Sequence, residues 1–231
     1  MTMIMSLEDR RRWQARIACG VLILLLASAA FVLRLYFSAP TDRSPRNART
    51  DSDFGIERVV SSTDADSDGL DDQSDILRST RAYLATRPTY ESAYYDGGYP
   101  TDGKGVCTDV VAAGLLGAGY DLRTLVDEDI RRAPEAYDVD VPDPNIDYRR
   151  VRNLRVWFER NAISLTCDTT QIDQWAGGDI VCYRNHIGIV SDLRDSDGIP
   201  YILHHRGRLQ LRFEEDCLAD YGEIVGHWRM D

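Results

Sequence analysis

Apolar positions cluster first near the start of the chain, in a run over residues 17–33 that continues through the letters LYF after Arg34. As a helix, residues 17–37 would extend about 30 Å, the thickness of a bilayer core. Arginines precede the run, and basic residues before an apolar segment favour a cytoplasmic N-terminus. We therefore expect a cytoplasmic tail over residues 1–16 and a single transmembrane helix over residues 17–37. A cleaved signal peptide, processed near Ser38, is the alternative.

The polar residues 38–62 show no apolar periodicity, which predicts a linker. The domain predicted beyond it, over residues 63–231, changes from helical to strand-like patterning. Apolar residues at helical spacing predict helices over residues 75–88, 105–119, 121–134 and 153–161. Branched and aromatic runs predict strands over residues 162–167, 178–183, 186–192, 200–205 and 224–229. Helices followed by antiparallel strands indicate an α+β fold.

The charge balance narrows the range of partners. The chain has 27 Lys and Arg residues against 38 Asp and Glu residues, a formal net charge of −11. Binding to phosphates needs a basic surface, so nucleic acid is not an expected partner. The 5 cysteines show no CxxC spacing of a zinc site. The sequence leaves open one disulfide among Cys167, Cys182 and Cys217, and the odd number is consistent with a free thiol.

The acidic stretch DADSDGLDDQSD, residues 64–75, matches the ligand spacing of an EF-hand calcium loop, with Gly69 at the sharp turn. Carboxylates this close together repel one another unless a cation neutralises them. We therefore expect a structural Ca²⁺ ion, with a disordered acidic linker as the alternative. The expected ligands are Asp64, Asp66, Asp68, the carbonyl of Leu70, Asp72 and Asp75.

Cys107 stands near the start of the apolar run 105–119, so we expect it at a helix N-terminus. There the helix dipole and an adjacent imidazolium would lower the thiol pKa. A cysteine nucleophile also needs a base and a residue that orients the base. His186 opens an apolar strand and is the predicted base, and His204 on the next strand is the predicted orienting residue, with His205 on the opposite face. The alternative is that the cysteine and the histidines are structural.

The motifs GVCTDVV, GGDIV, HIGIV and YILHH follow one another as in the NlpC/P60 superfamily of papain-like cysteine peptidases, which this chain resembles. Residues 64–229 resemble more narrowly the bacterial family called domain of unknown function 1287, through YPTDGKGVCTD, PDPNIDYRRVRNL and NHIGIVSD. The resemblance implies a papain-like NlpC/P60-type fold in which N-terminal helices pack on an antiparallel sheet. It also implies Cys107 as nucleophile, His186 as base and His204 as orienting residue.

Further site residues are implied by the resemblance or by their chemistry. The superfamily often uses a tyrosine upstream of the cysteine to bind the oxyanion, and Tyr95 and Tyr99 are the alternatives here. Asp109 departs from the superfamily's usual DCSGL motif and would raise the thiol pKa if it pointed inward, so we expect it to cap the helix or bind substrate. Arginines that stand out in this acidic chain are candidates to bind substrate carboxylates, with internal salt bridges as the alternative: Arg149, Arg150 and Arg152.

The combined expectation is a membrane-anchored cysteine amidase or endopeptidase on the outer side of a bacterial cell membrane. It would cleave an amide bond of peptidoglycan stem peptides by a Cys-His-His mechanism that needs no cofactor. The expected partners are the cell-wall peptide and, through the N-terminal helix, the membrane. One alternative is a non-catalytic, calcium-stabilised module that binds the cell surface. Another is a thiol acyl hydrolase acting on a lipid or a protein amide.

Overall fold

The computed structural model describes residues 7–37, 45 and 47–231, and the chain divides into two compact units, residues 1–40 and 41–231. The described part of the first unit is the helix α1 (Leu7–Phe37). No helix among the described residues is long and apolar enough to cross a membrane, so the prediction of a transmembrane helix over residues 17–37 is wrong. The uninterrupted apolar run stops at Arg34 after about 25 Å of helix, short of a bilayer core of about 30 Å.

Parts of the predicted N-terminal segments lie outside the described residues. These are residues 1–6 of the predicted tail and residues 38–44 and 46 of the predicted linker, including the processing position of the alternative signal peptide. The later part of the predicted linker belongs to the second unit. Its strand β1 (Arg49–Thr50) pairs with the sheet, and Asp51 accepts a hydrogen bond from the fully buried Arg194. Residues 49–51 are therefore part of the folded domain rather than a free connector.

Two helices of the second unit begin at an aspartate that accepts a hydrogen bond from the first turn. Asp71 accepts from Ser74 N at the start of one helix, and Asp121 accepts from Arg123 N at the start of another. The helix predicted over residues 75–88 begins earlier, at Asp72. Its first turn contains Asp72 and Asp75, which the sequence analysis had assigned as calcium ligands. The helices are α2 (Asp72–Ala85), α3 (Cys107–Gly117), α4 (Leu122–Arg132) and α5 (Val151–Asn161).

An antiparallel sheet follows the helices in the chain, which confirms the α+β class. Its strands are β4 (Ile163–Ser164), β5 (Ile180–Tyr183), β6 (His186–Arg194), β7 (Pro200–Leu203), β8 (Glu214–Cys217) and β9 (Ile224–Arg229). They lie in the order β4-β9-β5-β6-β7-β8, with β1 added to β6. A separate parallel pair joins β2 (Thr89–Tyr90) to β3 (Lys104–Gly105).

Helix α3 packs against β6 and forms the centre of the core. Val110, Val111 and Leu115 of the helix and Ile187 and Ile189 of the strand are fully buried in one cluster. Burial of each aliphatic side chain contributes about 1.5–3 kcal/mol. This packing fixes the start of α3 beside the start of β6.

Two strand ends differ from the prediction in ways that affect the site. Strand β7 ends at Leu203, so His204 and His205 follow the strand and are both buried, and the alternation expected for a strand does not apply to them. Strand β8 was not predicted, because its sequence EEDC has the composition of a loop. Its pairing with β7 brings Asp216 into the sheet.

Candidate functional site

Cys107 is the first residue of α3, where the sequence predicted a helix N-terminus, and its side chain is buried. The preceding Val106 has an extended backbone, so the chain turns into the helix at the thiol. Backbone N–H groups of Ile187 and Thr108 lie close enough to the sulfur to lower the pKa of the thiol. Since Ile187 directly follows His186, the thiol lies beside the start of β6.

Three side chains form a line of hydrogen bonds, here named the histidine row: His186, His204 and Asp216. His186 Nε2 lies 2.7 Å from His204 Nδ1, and His204 Nε2 lies 2.9 Å from Asp216 Oδ2. Arg206 Nη1 lies 3.0 Å from the same carboxylate oxygen. The structure therefore brings together the predicted base and the predicted orienting residue, and it adds an aspartate that the sequence did not indicate.

The directions of these hydrogen bonds follow from Asp216. The hydrogen bond with His204 holds the pKa of this carboxyl below its usual value, so it is ionised near neutral pH and acts only as an acceptor. A neutral His204 then donates from Nε2 and accepts at Nδ1, and His186 donates from Nε2. His186 Nδ1, which has no hydrogen-bond partner among the described residues, is left with a lone pair that can accept a proton.

Gly188 and Tyr221 hold the histidine row in place. A Cβ atom at Gly188 would lie 3.1 Å from His204 Cβ and 2.7 Å from Ile202 Cγ2, so the glycine makes room for His204. Gly188 is two residues after His186 and therefore on the same face of β6. The ring of Tyr221 stacks on His186, with centroids 4.5 Å apart and planes 17° apart. These contacts fix the imidazole of His186 from two sides.

Burial determines the charge states of the thiol and the imidazole. It raises the pKa of Cys107 to about 11, against the lowering effect of the N–H groups of Ile187 and Thr108. Burial also lowers the pKa of His186 to about 3, and the neighbouring His204 lowers it further. The expectation of a lowered thiol pKa is therefore wrong, because loss of solvent outweighs the helix terminus. Both groups are neutral at pH 7.

A tyrosine other than the two predicted lies close to the thiol. Tyr95 donates to Asp102, 2.9 Å away, and Tyr99 donates to Asp121. Tyr90 instead pairs across β2 and β3 with Gly105, two residues before the cysteine. Burial chiefly raises the pKa of the Tyr90 phenol, and the nearby Cys107 raises it further. Nothing in the sequence distinguishes this tyrosine from the others in the same loop.

Asp109 and Arg149 form a buried ion pair behind the thiol. Asp109 Oδ2 accepts from Val106 N at 2.8 Å, which confirms the predicted helix cap. Arg149 donates to both carboxylate oxygens, at 2.7 and 2.8 Å, and to the carbonyl of Ala93. Arg150 and Arg152 are themselves exposed and form longer pairs, 3.7 Å from the buried Asp147 and 3.5 Å from the exposed Asp138. Their predicted contact with a substrate stays a prediction.

The acidic loop brings together part of the predicted calcium ligand set. Oxygen atoms of Asp64, Asp66 and Asp68 lie within 4.8 Å of one another. Asp72 points elsewhere, accepting from Ala65 N at 2.8 Å and from the hydroxyl of Tyr120. Asp75 is buried beside Asp68, and its Oδ2 has no hydrogen-bond partner. Arg78 contacts the carboxylates of both Asp68 and Asp75.

A second carboxylate–histidine group, here named the Asp179 cluster, consists of Asp179, His227 and Arg229. His227 Nε2 lies 3.0 Å from Asp179 Oδ2, and its Nδ1 lies 2.7 Å from the carbonyl of Thr166. Both ring nitrogens of His227 are therefore held by hydrogen-bond partners. Arg229 Nη2 lies 2.7 Å from Asp179 Oδ2, and Trp175 stacks on His227 with centroids 3.7 Å apart.

The structure excludes the disulfide that the sequence left open among Cys167, Cys182 and Cys217. Cys167 and Cys182 are both free, and each of the three possible pairs includes one of them. Burial raises the pKa of Cys182 to about 12, so this thiol is protonated at neutral pH. Cys182 behaves as a core residue of β5.

Fold and site together define an α+β domain in which a buried cysteine at a helix start lies beside a row of two histidines and an aspartate. The chain belongs to the family described as domain of unknown function (DUF1287), whose model matches residues 77–230. It is similar to the uncharacterized protein YijF of Escherichia coli (strain K12), with 38% identity over 151 residues that cover 62% of this chain and 72% of that protein. No solved structure matches the chain.

Proposed function

We propose that this protein is a cysteine amidase or peptidase in which Cys107 is the nucleophile, His186 the base and His204 the orienting residue. The observation that carries the proposal is the histidine row, which runs from Asp216 to His186 and ends beside the residue that touches the thiol. A nucleophile, a base and a group that fixes the tautomer of the base are the parts that thiol acyl transfer needs.

The charge states indicate how the reaction would begin. With a neutral thiol and a neutral imidazole, His186 Nδ1 takes the proton from Cys107 as the sulfur attacks the amide carbonyl. The imidazolium then gives this proton to the leaving amine, and a thioester remains on the sulfur. A water molecule, deprotonated by the same nitrogen, hydrolyses the thioester and restores the thiol. Asp216 and His204 stabilise the imidazolium through the histidine row.

The oxyanion formed on attack needs hydrogen-bond donors close to the thiol. The backbone N–H of Cys107 is one donor, since the first N–H groups of a helix lack partners within the helix. The phenol of Tyr90 is the second, which replaces the predicted Tyr95 and Tyr99 in this role. Its place beside the thiol, together with its raised pKa, keeps it protonated as a donor.

Membership of the NlpC/P60 superfamily and action on peptidoglycan stem peptides belong to the same proposal. They are supported by the motifs GVCTDVV, GGDIV and HIGIV and by the position of the first and third motifs around the thiol. A location outside the cytoplasm is supported by the basic residues that precede the apolar run.

The test is to incubate the protein with purified peptidoglycan and to identify the released fragments by mass spectrometry. Wild type should release fragments that end at one kind of amide bond, and Cys107→Ala should release none. Cys182→Ala is the matched control, because it removes a buried thiol from the same core and should leave the products unchanged. Release by wild type and Cys107→Ala alike would contradict the assignment of the nucleophile. Absence of any release would contradict the proposed substrate.

We also propose that the acidic loop binds Ca²⁺. The supporting observation is Asp75, whose Oδ2 is buried without a hydrogen-bond partner and whose carboxylate faces Asp68. Burial raises the pKa of Asp75, and the charges of Asp68 and Asp66 raise it further, so a cation among these groups would relieve their repulsion. Arg78 supplies part of that positive charge in the structure.

Calcium binding is tested by the melting temperature of the protein with CaCl₂ and with a chelator. A calcium concentration 100 times the Kd stabilises by about 2.7 kcal/mol, or roughly 5–10 °C for a domain of this size. The double variant Asp64→Asn/Asp68→Asn should lose this shift. Asp96→Asn, an exposed change outside the loop, should keep it. Equal melting temperatures of wild type with and without calcium would remove the proposal.

A further inference from the structure

A cleft lined by arginines lies between α5, the turn that follows β5, and strand β9. Its volume is about 630 Å³. Four arginines and one glutamate face it, in a protein whose formal net charge is −11. Small aliphatic side chains complete the wall. The wall of the cleft includes Arg152, Arg155, Arg184, Val151, Val156 and Val225.

The positive charge of three of the four cleft arginines is only weakly compensated, whereas Arg160 pairs with the buried Asp129. Arg155 has no carboxylate within ion-pair distance among the described residues. Arg184 lies 3.8 Å from Glu223, and both side chains are more than three-quarters exposed. Arg152 lies 3.5 Å from Asp138, whose side chain is 95% exposed. Exposed pairs of this kind contribute about 0–1 kcal/mol. A ligand carboxylate can therefore replace them at little cost.

The cleft borders the turn that leads to the candidate base. Arg184, which lines the cleft, lies in the turn between β5 and β6, two residues before His186. Tyr183 and His186 pair across this turn. A ligand that occupied the cleft would thus extend along the β5–β6 turn toward His186.

We propose that the cleft binds the carboxylate of an acidic peptide segment next to the amide that Cys107 attacks. This inference rests on the proposed function and names its substrate class. Arg155 and Arg184 would pair with the carboxylate, since planar guanidinium groups match its two oxygens. Val151, Val156 and Val225 would contact the aliphatic part of the peptide.

The test measures binding instead of turnover, so it does not depend on catalysis. Isothermal titration of the full chain carrying Cys107→Ala uses two probes: the peptide Ala-Glu-Ala with free carboxylates, and the uncharged amide of Ala-Gln-Ala. The acidic peptide should bind at least about tenfold more tightly, and its affinity should fall as salt rises from 0.05 to about 0.5 M, because salt screens exposed charges. Equal affinity for both probes, or an affinity that salt leaves unchanged, would overturn the inference.

Variants of the same chain locate the binding. Arg155→Gln and Arg184→Gln should each weaken binding of the acidic peptide by roughly two- to fivefold and leave the neutral peptide unaffected. Arg131→Gln is the matched control, because Arg131 is exposed and pairs with Asp127 on α4 away from the cleft. Unchanged affinity in both cleft variants would refute the site. If the acidic peptide binds as expected but the wild type cleaves no peptidoglycan, the proposed function is refuted and the binding site is retained.

Discussion

Two groups of this molecule contain a histidine joined to a buried or half-buried aspartate, yet their surroundings differ. In the Asp179 cluster both ring nitrogens of His227 are bonded to acceptors, and the ring is covered by Trp175. In the histidine row, His186 uses one nitrogen only, and the other has no partner among the described residues. In the first group both ring nitrogens have partners, whereas the second leaves one ring nitrogen of His186 available.

The comparison shows that a carboxylate–histidine pair does not by itself indicate catalysis. Burial disfavours ionisation of Asp179, but hydrogen bonds from His227 and Arg229 outweigh it and hold the pKa of this carboxyl low. A fully paired group of this kind fixes the sheet and has no proton to exchange with a ligand. His186, by contrast, is held neutral by burial and has a free lone pair. A histidine nitrogen without a partner, close to the start of the helix that begins at Cys107, is therefore the more informative feature.

The difference between the two groups is tested most directly by replacing His186 and His227 in turn and comparing kcat. His186→Gln should lower kcat by roughly 10²–10⁴-fold, because the thiol loses its proton acceptor. His227→Gln should leave kcat of the folded protein nearly unchanged. Both are measured by the rate of fragment release from peptidoglycan, with circular dichroism as the check on folding. A larger loss of kcat in His227→Gln would reverse the assignment of the two groups.

Removal of the Asp179 carboxylate should act on stability instead of rate. Asp179→Asn leaves Arg229 without its counter-ion and His227 without its carboxylate partner, and breaking a buried ion pair costs about 3–5 kcal/mol. The free energy of unfolding is measured in urea, with the exposed Asp173→Asn as control. A loss below about 1 kcal/mol would show that the cluster is not structural.

The thiol itself should respond to pH as a neutral group. Because burial raises the pKa of Cys107 to about 11, the thiolate fraction rises about tenfold for each pH unit below that value. Alkylation of Cys107 by iodoacetamide should therefore accelerate about a hundredfold between pH 7 and pH 9. A rate that reaches a plateau below pH 8 would indicate a preformed thiolate–imidazolium pair. Peptide mapping separates this label from that of the exposed Cys167.

Gly188→Ala should give the smallest effect and test the geometry of the histidine row. The added Cβ would crowd His204 and the carbonyl of Leu203, each 3.1 Å away, and overpacking costs about 1–3 kcal/mol. Because the displaced His204 no longer fixes His186, kcat should fall while the protein stays folded. Gly207→Ala is the control, since a Cβ there meets nothing within 4 Å. Equal kcat in both variants would show that the spacing is not critical.

Much of the site could be predicted from local pattern. The apolar run after Cys107 predicts a helix that begins at the thiol, and the apolar run after His186 predicts a strand that packs on it. Asp216 could not be predicted, because β8 is an acidic segment whose pairing with β7 depends on the rest of the sheet. Tyr90 could not be chosen either, since only its pairing with Gly105 places it near the sulfur.

The sequence by itself determined the α+β class, the helix that starts at Cys107 and the strand that starts at His186, because these depend on periodicity within short segments. It did not determine the charge states, because the pKa of a thiol or an imidazole depends on how deeply the fold buries it. The tertiary structure alone decided that His204 joins His186 to Asp216 and that Arg149 pairs with Asp109. Those contacts join residues far apart in the chain, and their geometry exists only once the helices have packed on the sheet.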